Sequence, residues 1–126
     1  MPVKITVTER GNPLHPQQPK KWYANTKSTG DTTLRTLSKE IAARSTVSPA
    51  DTQAVLVGLT EVLVEHLANG KIVRLGDFGA FQVSVSSAGA ESAAKFNASL
   101  IKSSKVVFRP GIDLKEMLKN LKYEKV

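Results

Sequence analysis

The chain has 126 residues, of which 40% are hydrophobic and 23% are charged, and its formal net charge is +7 at pH 7. This composition is ordinary for a globular protein of one domain, and no apolar run approaches the roughly 18 residues that a membrane helix needs. The absence of cysteine excludes a disulfide framework, a thiolate nucleophile and a cysteine-based zinc site. No apolar segment follows the first residues as in a signal peptide, so we expect a cytoplasmic protein.

Two strands are predicted near the start of the chain. Residues 3–9 alternate valine and isoleucine with polar side chains, as a half-buried strand does. A loop with prolines follows, and residues 20–27 resume the alternation. The two strands either pair with each other or each join a sheet edge elsewhere. Trp22 and Tyr23 stand beside two lysines, a composition typical of a stacking platform for single strands, although we expect these rings to pack on a core.

Two antiparallel helices are predicted next. The apolar residues from Leu34 to Ala43 keep helical spacing. Ser48 is the expected N-cap of the second helix, and Gly70 is its expected left-handed stop. The short connection between the helices predicts a helical hairpin.

The second helix carries more apolar surface than an ordinary surface helix. Its apolar arc spans about 220°, whereas a stripe of roughly 100° is usual. Such a helix must be covered on two sides, and we expect a partner subunit to cover one of them because the other elements are short. The arc is formed by Val55, Leu56, Leu59, Val62, Leu63 and Leu67, and is widened by Val57 and Val64.

A β-hairpin follows the second helix. Residues 72–75 and 81–86 alternate as strands, and the glycine-rich segment 76–79 between them predicts a tight turn. Residues 87–99 are small and polar, as in a flexible excursion or an arm that leaves the body of the protein. A further strand is predicted at residues 105–109.

The chain is predicted to end in a short helix capped by Asp113, and nothing in it indicates an enzyme. The triplet at residues 77–79 spells a kinase magnesium motif, but no glycine-rich phosphate loop or catalytic loop accompanies it. His15 and His66 are isolated, and no nucleophile–base set is present. We therefore expect no cofactor, no bound metal and no small-molecule substrate.

The order of elements from Leu34 to Met117 resembles the HU/IHF family of bacterial histone-like DNA-binding proteins. Its most specific pieces are the turn GDFGAFQV and the strand end FRPGIDLK, which follow the helical hairpin in the family's order. Phe78, Gly79 and Phe81 match the family's turn, and Phe108, Pro110, Gly111, Leu114 and Lys115 match its second segment, with Arg109 on a basic position.

The resemblance implies an α+β fold in which a helical hairpin, an antiparallel β-sheet with a protruding arm and a C-terminal helix form an intertwined homodimer. Residues 29–126 would be the HU/IHF-like DNA-binding domain, with the arm at about 83–107, and residues 1–28 an extra N-terminal segment of two strands. This extension resembles a divergent HU-related subgroup of longer members. In the family, paired arms reach into the minor groove of double-stranded DNA and bend it with little sequence readout.

The charge distribution agrees with a polyanionic partner. Residues 1–28 carry a net charge of +4 and residues 95–126 a net charge of +5, whereas residues 29–94 carry −2. The cations expected to contact DNA are Lys71, Arg74, Lys95, Lys102, Lys105, Arg109, Lys115 and Lys119. The expected dimer core consists of Val55, Leu56, Leu59, Val62, Leu63, Leu67, Phe78, Phe81 and Phe108. We expect a nucleoid protein with double-stranded DNA and a second copy as partners, and no membrane.

The arm departs from the family pattern. Asp77 stands where the family usually has glycine, the arm is several residues shorter than usual, and the Arg-Asn-Pro tip is missing. Lys95 is the only basic residue from Gly76 to Ile101, and Phe96 is either a substitute wedge or a packing contact. Two other functions therefore stay open: a protein–protein interaction module on the same dimer with vestigial DNA binding, and single-strand binding through Trp22 and Tyr23.

Overall fold

The computed structural model describes residues 2–126 and contains, within them, three α-helices and two three-stranded sheets. The helices are α1 (Leu34–Ala43), α2 (Pro49–Ala68) and α3 (Ile112–Lys119). The strands are β1 (Val3–Arg10), β2 (Lys21–Thr26), β3 (Val73–Arg74), β4 (Gly79–Ser87), β5 (Ile101–Pro110) and β6 (Tyr123–Lys125). The predicted mixture of helices and antiparallel strands is confirmed. Within residues 2–126, none of the helices is long and apolar enough to cross a membrane.

The chain divides into two compact units, one made of residues up to Thr33 together with Met117–Val126, and one made of Leu34–Glu116. The first unit contains a sheet in the order β2-β1-β6. β1 and β2 pair with each other in antiparallel fashion, which decides between the two arrangements that the sequence left open. β6 pairs with β1 in parallel, held by the bond from Val3 N to Lys122 O at 2.7 Å. The sequence did not predict this last strand.

Trp22 and Tyr23 differ from their predicted placement. The Trp22 side chain is 65% exposed and that of Tyr23 is 48% exposed, so the expectation that both rings pack on a core is wrong within the part of the chain described. As consecutive residues of β2 they point to opposite faces of the sheet. One stacking platform therefore cannot contain both rings.

The second unit begins with the predicted helical hairpin. Asp51 N donates to Ser48 Oγ at 3.1 Å, which confirms Ser48 as the N-cap, and Gly70 ends the helix with a φ of +79°. The buried residues of these helices are Ser38 and Thr52, whose hydroxyls donate to the carbonyls of the preceding turn at 2.7 and 2.8 Å. Among residues 2–126 no hydrophobic side chain is buried. The helical hairpin thus has no apolar core that is shielded from solvent by the described residues alone.

The second sheet has the order β3-β4-β5, with antiparallel pairing throughout. The predicted tight turn joins β3 to β4, where Leu75 N donates to Gly79 O at 2.9 Å. A Cβ on Gly79 would lie 2.6 Å from the Phe108 ring and from Arg109 O, so only glycine fits there. The Phe108 ring lies 4.7 Å from that of Phe81 and 5.7 Å from that of Phe78, centroid to centroid. These aromatic contacts fix the base of the β4–β5 hairpin.

Two further segments differ from expectation in detail. The excursion after β4 contains two short 3₁₀ turns, Ala93–Lys95 and Ala98–Leu100, and β5 begins at Ile101, four residues before the predicted strand. The prediction that Asp113 caps the last helix is wrong, because α3 begins at Ile112 and Asp113 lies inside its first turn. Aspartate there still suits the positive end of the helix dipole.

Candidate nucleic-acid interface

The β3-β4-β5 sheet presents two chemically different faces. Directly paired residues of an antiparallel sheet share a face, and successive residues alternate between faces. The pair of Phe81 with Phe108 and the pair of Ala80 with Arg109 therefore belong to opposite faces. One face carries Val73, Phe81, Val83, Val85, Val106 and Phe108; the other, called here the sheet's cationic face, carries Arg74, Ala80, Gln82, Ser84, Ser86, Ser103, Lys105, Val107 and Arg109.

Two arginines occupy one row of the cationic face. Ala80 pairs with Arg74 on one side and with Arg109 on the other. Because neighbouring strands lie about 4.8 Å apart, the two arginine backbones are roughly 10 Å apart with only a methyl group between them. Both side chains are exposed, and within residues 2–126 neither forms an ion pair. Together with Gly76, Gly79, Pro110 and Gly111 they line a cleft of about 170 Å³.

Lys105 extends the positive charge along the β4–β5 hairpin. It pairs with Ser84 and lies four residues before Arg109, which corresponds to about 13 Å along a strand. The side chains around it on this face are mainly serines. Arginine, lysine and serine are all among the side chains that bind phosphate oxygens of nucleic acids. The cationic face therefore has the chemistry of a backbone-contacting surface.

The other predicted DNA contacts are exposed but scattered over different elements. Lys71 follows α2 and lines a cleft of about 250 Å³ with Arg74. Lys102 lies where the register of β5 against β4 shifts. Ile101 pairs with Ser87 and Ser103 pairs with Ser86, so Lys102 lies between these two pairs. Lys115 lies on α3 in the second unit, whereas Lys119, at the end of the same helix, belongs to the first unit.

Lys95 differs from the other cations because it already has a partner. Its Nζ lies 2.8 Å from Glu91 Oε2, and both side chains are largely exposed. This ion pair leaves the segment beyond β4 and β5 with little free positive charge. Phe96 follows directly and is 40% exposed, so its packing is incomplete within the chain.

The residues predicted as the dimer core form an apolar surface that the chain itself leaves open. Val55 is 66% exposed and Val62 is 48% exposed on α2. Phe78 is 47% exposed at the hairpin turn. Leu59 and Phe108 are also exposed, and Leu56, Leu63, Leu67 and Phe81 are half-buried. In the part of the chain described, none of them is buried, and the homodimer stays a prediction.

Sequence reasoning did not nominate the polar side chains that share the face with the arginines. Gln82, Ser84 and Ser86 were visible as the wet side of a strand, but their alignment with Arg109 and Lys105 depends on the register with β5. That register results from the pairing of β4 with β5, which are separated by residues 88–100. No short sequence motif specifies it.

Comparison with known proteins decides the family. The family model HU-HIG, described as an HU domain fused to wHTH, Ig, or glycine-rich motif, matches residues 1–125. The chain belongs to this HU-HIG family. The HU-like character inferred from the GDFGAF turn and the FRPG segment is therefore confirmed, and the match also includes the N-terminal strands. No curated protein matches the chain.

A solved structure shares the fold of this HU-HIG member. It is described as a "putative bacterial DNA binding protein" from Bacteroides vulgatus, and it aligns with a TM-score of 0.66 at 14% sequence identity. The alignment covers 98% of this chain and 48% of the other. The chain thus spans about half the length of the structure it matches, and at this identity the likeness is one of fold.

Proposed function

We propose that this chain is a non-enzymatic, largely sequence-independent binder of double-stranded DNA, acting as a histone-like architectural protein of the nucleoid. The observation that carries the proposal is the exposed row of Arg74 and Arg109 on the cationic face, extended by Lys105. Membership of an HU-HIG family supports it, as does the DNA-binding description of the structural neighbour.

The chemistry of this face favours contacts to the DNA backbone. Guanidinium groups bind phosphate oxygens through two parallel hydrogen bonds, and the small serines let a phosphate approach the strands closely. Phosphate contacts carry no sequence information, so binding depends on charge and groove shape. In this proposal the hairpin of β4 and β5 is the arm that enters the minor groove, and residues 29–126 form the DNA-binding domain.

The proposal includes a homodimer, which the exposed surface of the chain supports. The accessible surface is 10558 Å². Two separate compact bodies of the same total mass would expose only roughly 8,000 Å². A partner that covers the apolar face of α2 and the Phe78–Phe108 cluster would remove an area comparable to the difference between these two values. Obligate dimer interfaces bury areas of comparable size.

The salt dependence of duplex affinity tests the DNA-binding proposal. Each neutralised phosphate releases a counterion, so contact with about six phosphates gives a log–log slope near −5. The measurement is fluorescence anisotropy with labelled duplexes of two unrelated sequences between about 50 and 200 mM salt. A steep slope shared by both sequences supports the proposal, and a flat response would contradict it.

A second candidate function is a protein–protein interaction module on the same dimer with little DNA binding. The pairing of Lys95 with Glu91 favours it, because this pair neutralises the charge of a segment that would otherwise approach DNA. The exposed valines of β4 and β5 favour it as well. The duplex titration distinguishes the two functions, since this second candidate predicts at most weak binding at physiological salt.

A further inference from the structure

The sheet of the first unit also has a strongly cationic face. In the register of β1 with β2, Arg10 pairs with Lys21 and Thr8 pairs with Tyr23. The bond from Lys27 N to Lys4 O at 2.8 Å continues the same ladder by one more pair. Because successive side chains of a strand alternate between the two faces of the sheet, one set of side chains lies on the same face. This face is called here the N-terminal cationic face and carries Lys4, Thr6, Thr8, Arg10, Lys21, Tyr23, Asn25 and Lys27.

Two pairs of like charges lie opposite each other on this face. Arg10 is directly across from Lys21, and Lys4 is directly across from Lys27. Like charges at such positions destabilise a sheet. The acidic neighbour on this face is Glu124 of β6, which pairs with Lys4. One carboxylate therefore faces four cationic side chains and cannot neutralise them all. This arrangement lowers folding stability unless a polyanion neutralises it.

A hydrogen-bond chain holds the charge of Arg10 in place. Arg10 Nη2 donates to Asn25 Oδ1 at 3.0 Å, and Asn25 Nδ2 donates to Thr8 Oγ1 at 2.9 Å. Asn25 thereby orients the Arg10 guanidinium across the sheet. The guanidinium carries five N–H donors, so most of them have no partner among residues 2–126 and can bind a ligand. Arranging the group before binding lowers the entropy lost on binding.

Tyr23 provides an apolar surface among these cations. It lies between Lys21 and Asn25 along β2, opposite Thr8, and its side chain is 48% exposed. Trp22 lies on the other face, so Tyr23 is the aromatic residue of this face. From Lys4 to Arg10 the face extends for about 20 Å, which gives room for several nucleotides.

We propose that the N-terminal cationic face binds an unpaired nucleic-acid strand. One base stacks on Tyr23, while the surrounding cations Arg10, Lys21, Lys4 and Lys27 contact the phosphates. A cationic surface with a central exposed ring is the combination that binds single strands. In a duplex the faces of the bases are already stacked on one another, so no base could stack on the ring. This inference concerns a different sheet from the one that carries Arg74, Arg109 and Lys105.

Anisotropy of a short labelled oligothymidylate, measured with the full chain, tests the inference. Tyr23→Ala is expected to weaken binding roughly 5- to 150-fold, the range that loss of one base–aromatic stack produces. Tyr23→Phe keeps the ring and is expected to bind as the unmodified chain does. Lys21→Ala is expected to weaken binding and to reduce the log–log salt slope by about 0.7.

The opposite face of the same sheet offers matched controls. Tyr123 pairs with Val3 and Lys125 pairs with Ile5, so both lie on the face that carries Trp22, and Tyr123 is 62% exposed. Tyr123→Ala and Lys125→Ala are expected to leave oligothymidylate affinity unchanged. An unchanged circular dichroism spectrum and melting temperature for each variant excludes unfolding as the cause of a loss.

The outcomes separate this inference from the proposed duplex function. Arg74→Ala with Arg109→Ala is expected to weaken duplex binding and to leave oligothymidylate binding intact. A parallel series with oligouridylate tests an RNA strand in the same way, and the inference holds if either strand depends on Tyr23. The inference is overturned if Tyr23→Ala binds both strands like the unmodified chain, or if Tyr123→Ala loses as much affinity as Tyr23→Ala. It is also overturned if a polyglutamate peptide or an unlabelled duplex displaces the labelled strand as well as an unlabelled single strand does.

Discussion

Arg74 and Arg109 lie on the same face of one sheet, on the two strands that flank Ala80. The residues are thirty-five positions apart in sequence, and only the pairing of both β3 and β5 with β4 brings them into one row. The roughly 10 Å between their backbones lets two side chains converge on one phosphate or reach two successive ones.

Replacing either arginine by alanine is expected to weaken duplex binding without changing sequence preference. Each substitution removes about one phosphate contact, so the log–log salt slope should become about 0.9 less steep. Anisotropy with two unrelated duplexes measures both quantities. Arg44→Ala, an exposed arginine of the loop between α1 and α2, is the matched control and should leave the slope unchanged. A loss that differs strongly between the two sequences would argue against backbone contacts.

Ala80→Glu is expected to abolish most duplex binding while preserving the fold. The new carboxylate would lie between Arg74 and Arg109 and pair with both, and cross-strand pairs of opposite charge stabilise a sheet by roughly 0.2–1 kcal/mol each. The melting temperature should therefore stay the same or rise while duplex affinity falls by at least about tenfold, the effect of losing roughly 1.4 kcal/mol. Ala80→Gln has similar volume without the charge and should retain more binding. Equal losses for both variants would show that shape rather than charge at this row matters.

Val55→Gln on α2 is expected to shift the chain from dimer to monomer. The side chain is 66% exposed within the chain, and a surface substitution of this kind normally changes stability by less than about 0.5 kcal/mol. At a dimer interface the same change buries an amide without a partner, which costs about 1–3 kcal/mol. Sedimentation velocity over a range of concentrations measures the assembly state. Val47→Gln, an exposed valine of the loop before α2, should leave it unchanged, and a monomeric unmodified chain would refute the dimer outright.

Gly79→Ala is expected to destabilise the hairpin of β4 and β5. A methyl group there would lie 2.6 Å from the Phe108 ring and from Arg109 O, and overpacking of this kind typically costs about 1–3 kcal/mol. Thermal denaturation measures the change. Gly89→Ala is the matched control, because nothing lies within 4 Å of its added Cβ, and it should be neutral or stabilise by up to about 1 kcal/mol. Equal melting temperatures for the two variants would contradict the close packing around Gly79.

The sequence predicted those parts of the fold whose signals are local. Ser48 and Gly70 carry their own capping chemistry, and both bounds of α2 followed from it. The segment around Phe78 and Gly79 carries its turn chemistry in the same way. β6 could not be predicted, because Tyr123–Lys125 is too short to show a period and becomes a strand only by pairing with β1.

The candidate sites depend on pairing in the same way. Arg109 was predicted as a DNA contact, but its alignment with Arg74 requires the register of three strands. Trp22 and Tyr23 were grouped as neighbours in sequence, yet the pleat of β2 separates them onto two faces. Charge and composition therefore predicted the kind of partner, while the geometry of each surface required the structure.

Glu91→Gln tests whether the segment beyond β4 and β5 approaches DNA. The substitution frees Lys95, whose Nζ now lies 2.8 Å from the Glu91 carboxylate; because the pair is exposed, its loss should change stability by less than about 1 kcal/mol. If the arm follows a groove, removing one negative charge and releasing one cation should raise duplex affinity and steepen the log–log salt slope by up to about 0.9. Glu61→Gln removes an exposed carboxylate from α2 and serves as the control for net charge alone. A rise for Glu91→Gln but not for Glu61→Gln supports the minor-groove arm. Identical salt slopes for both variants and the unmodified chain would contradict the minor-groove arm, because the segment would then lie away from the DNA.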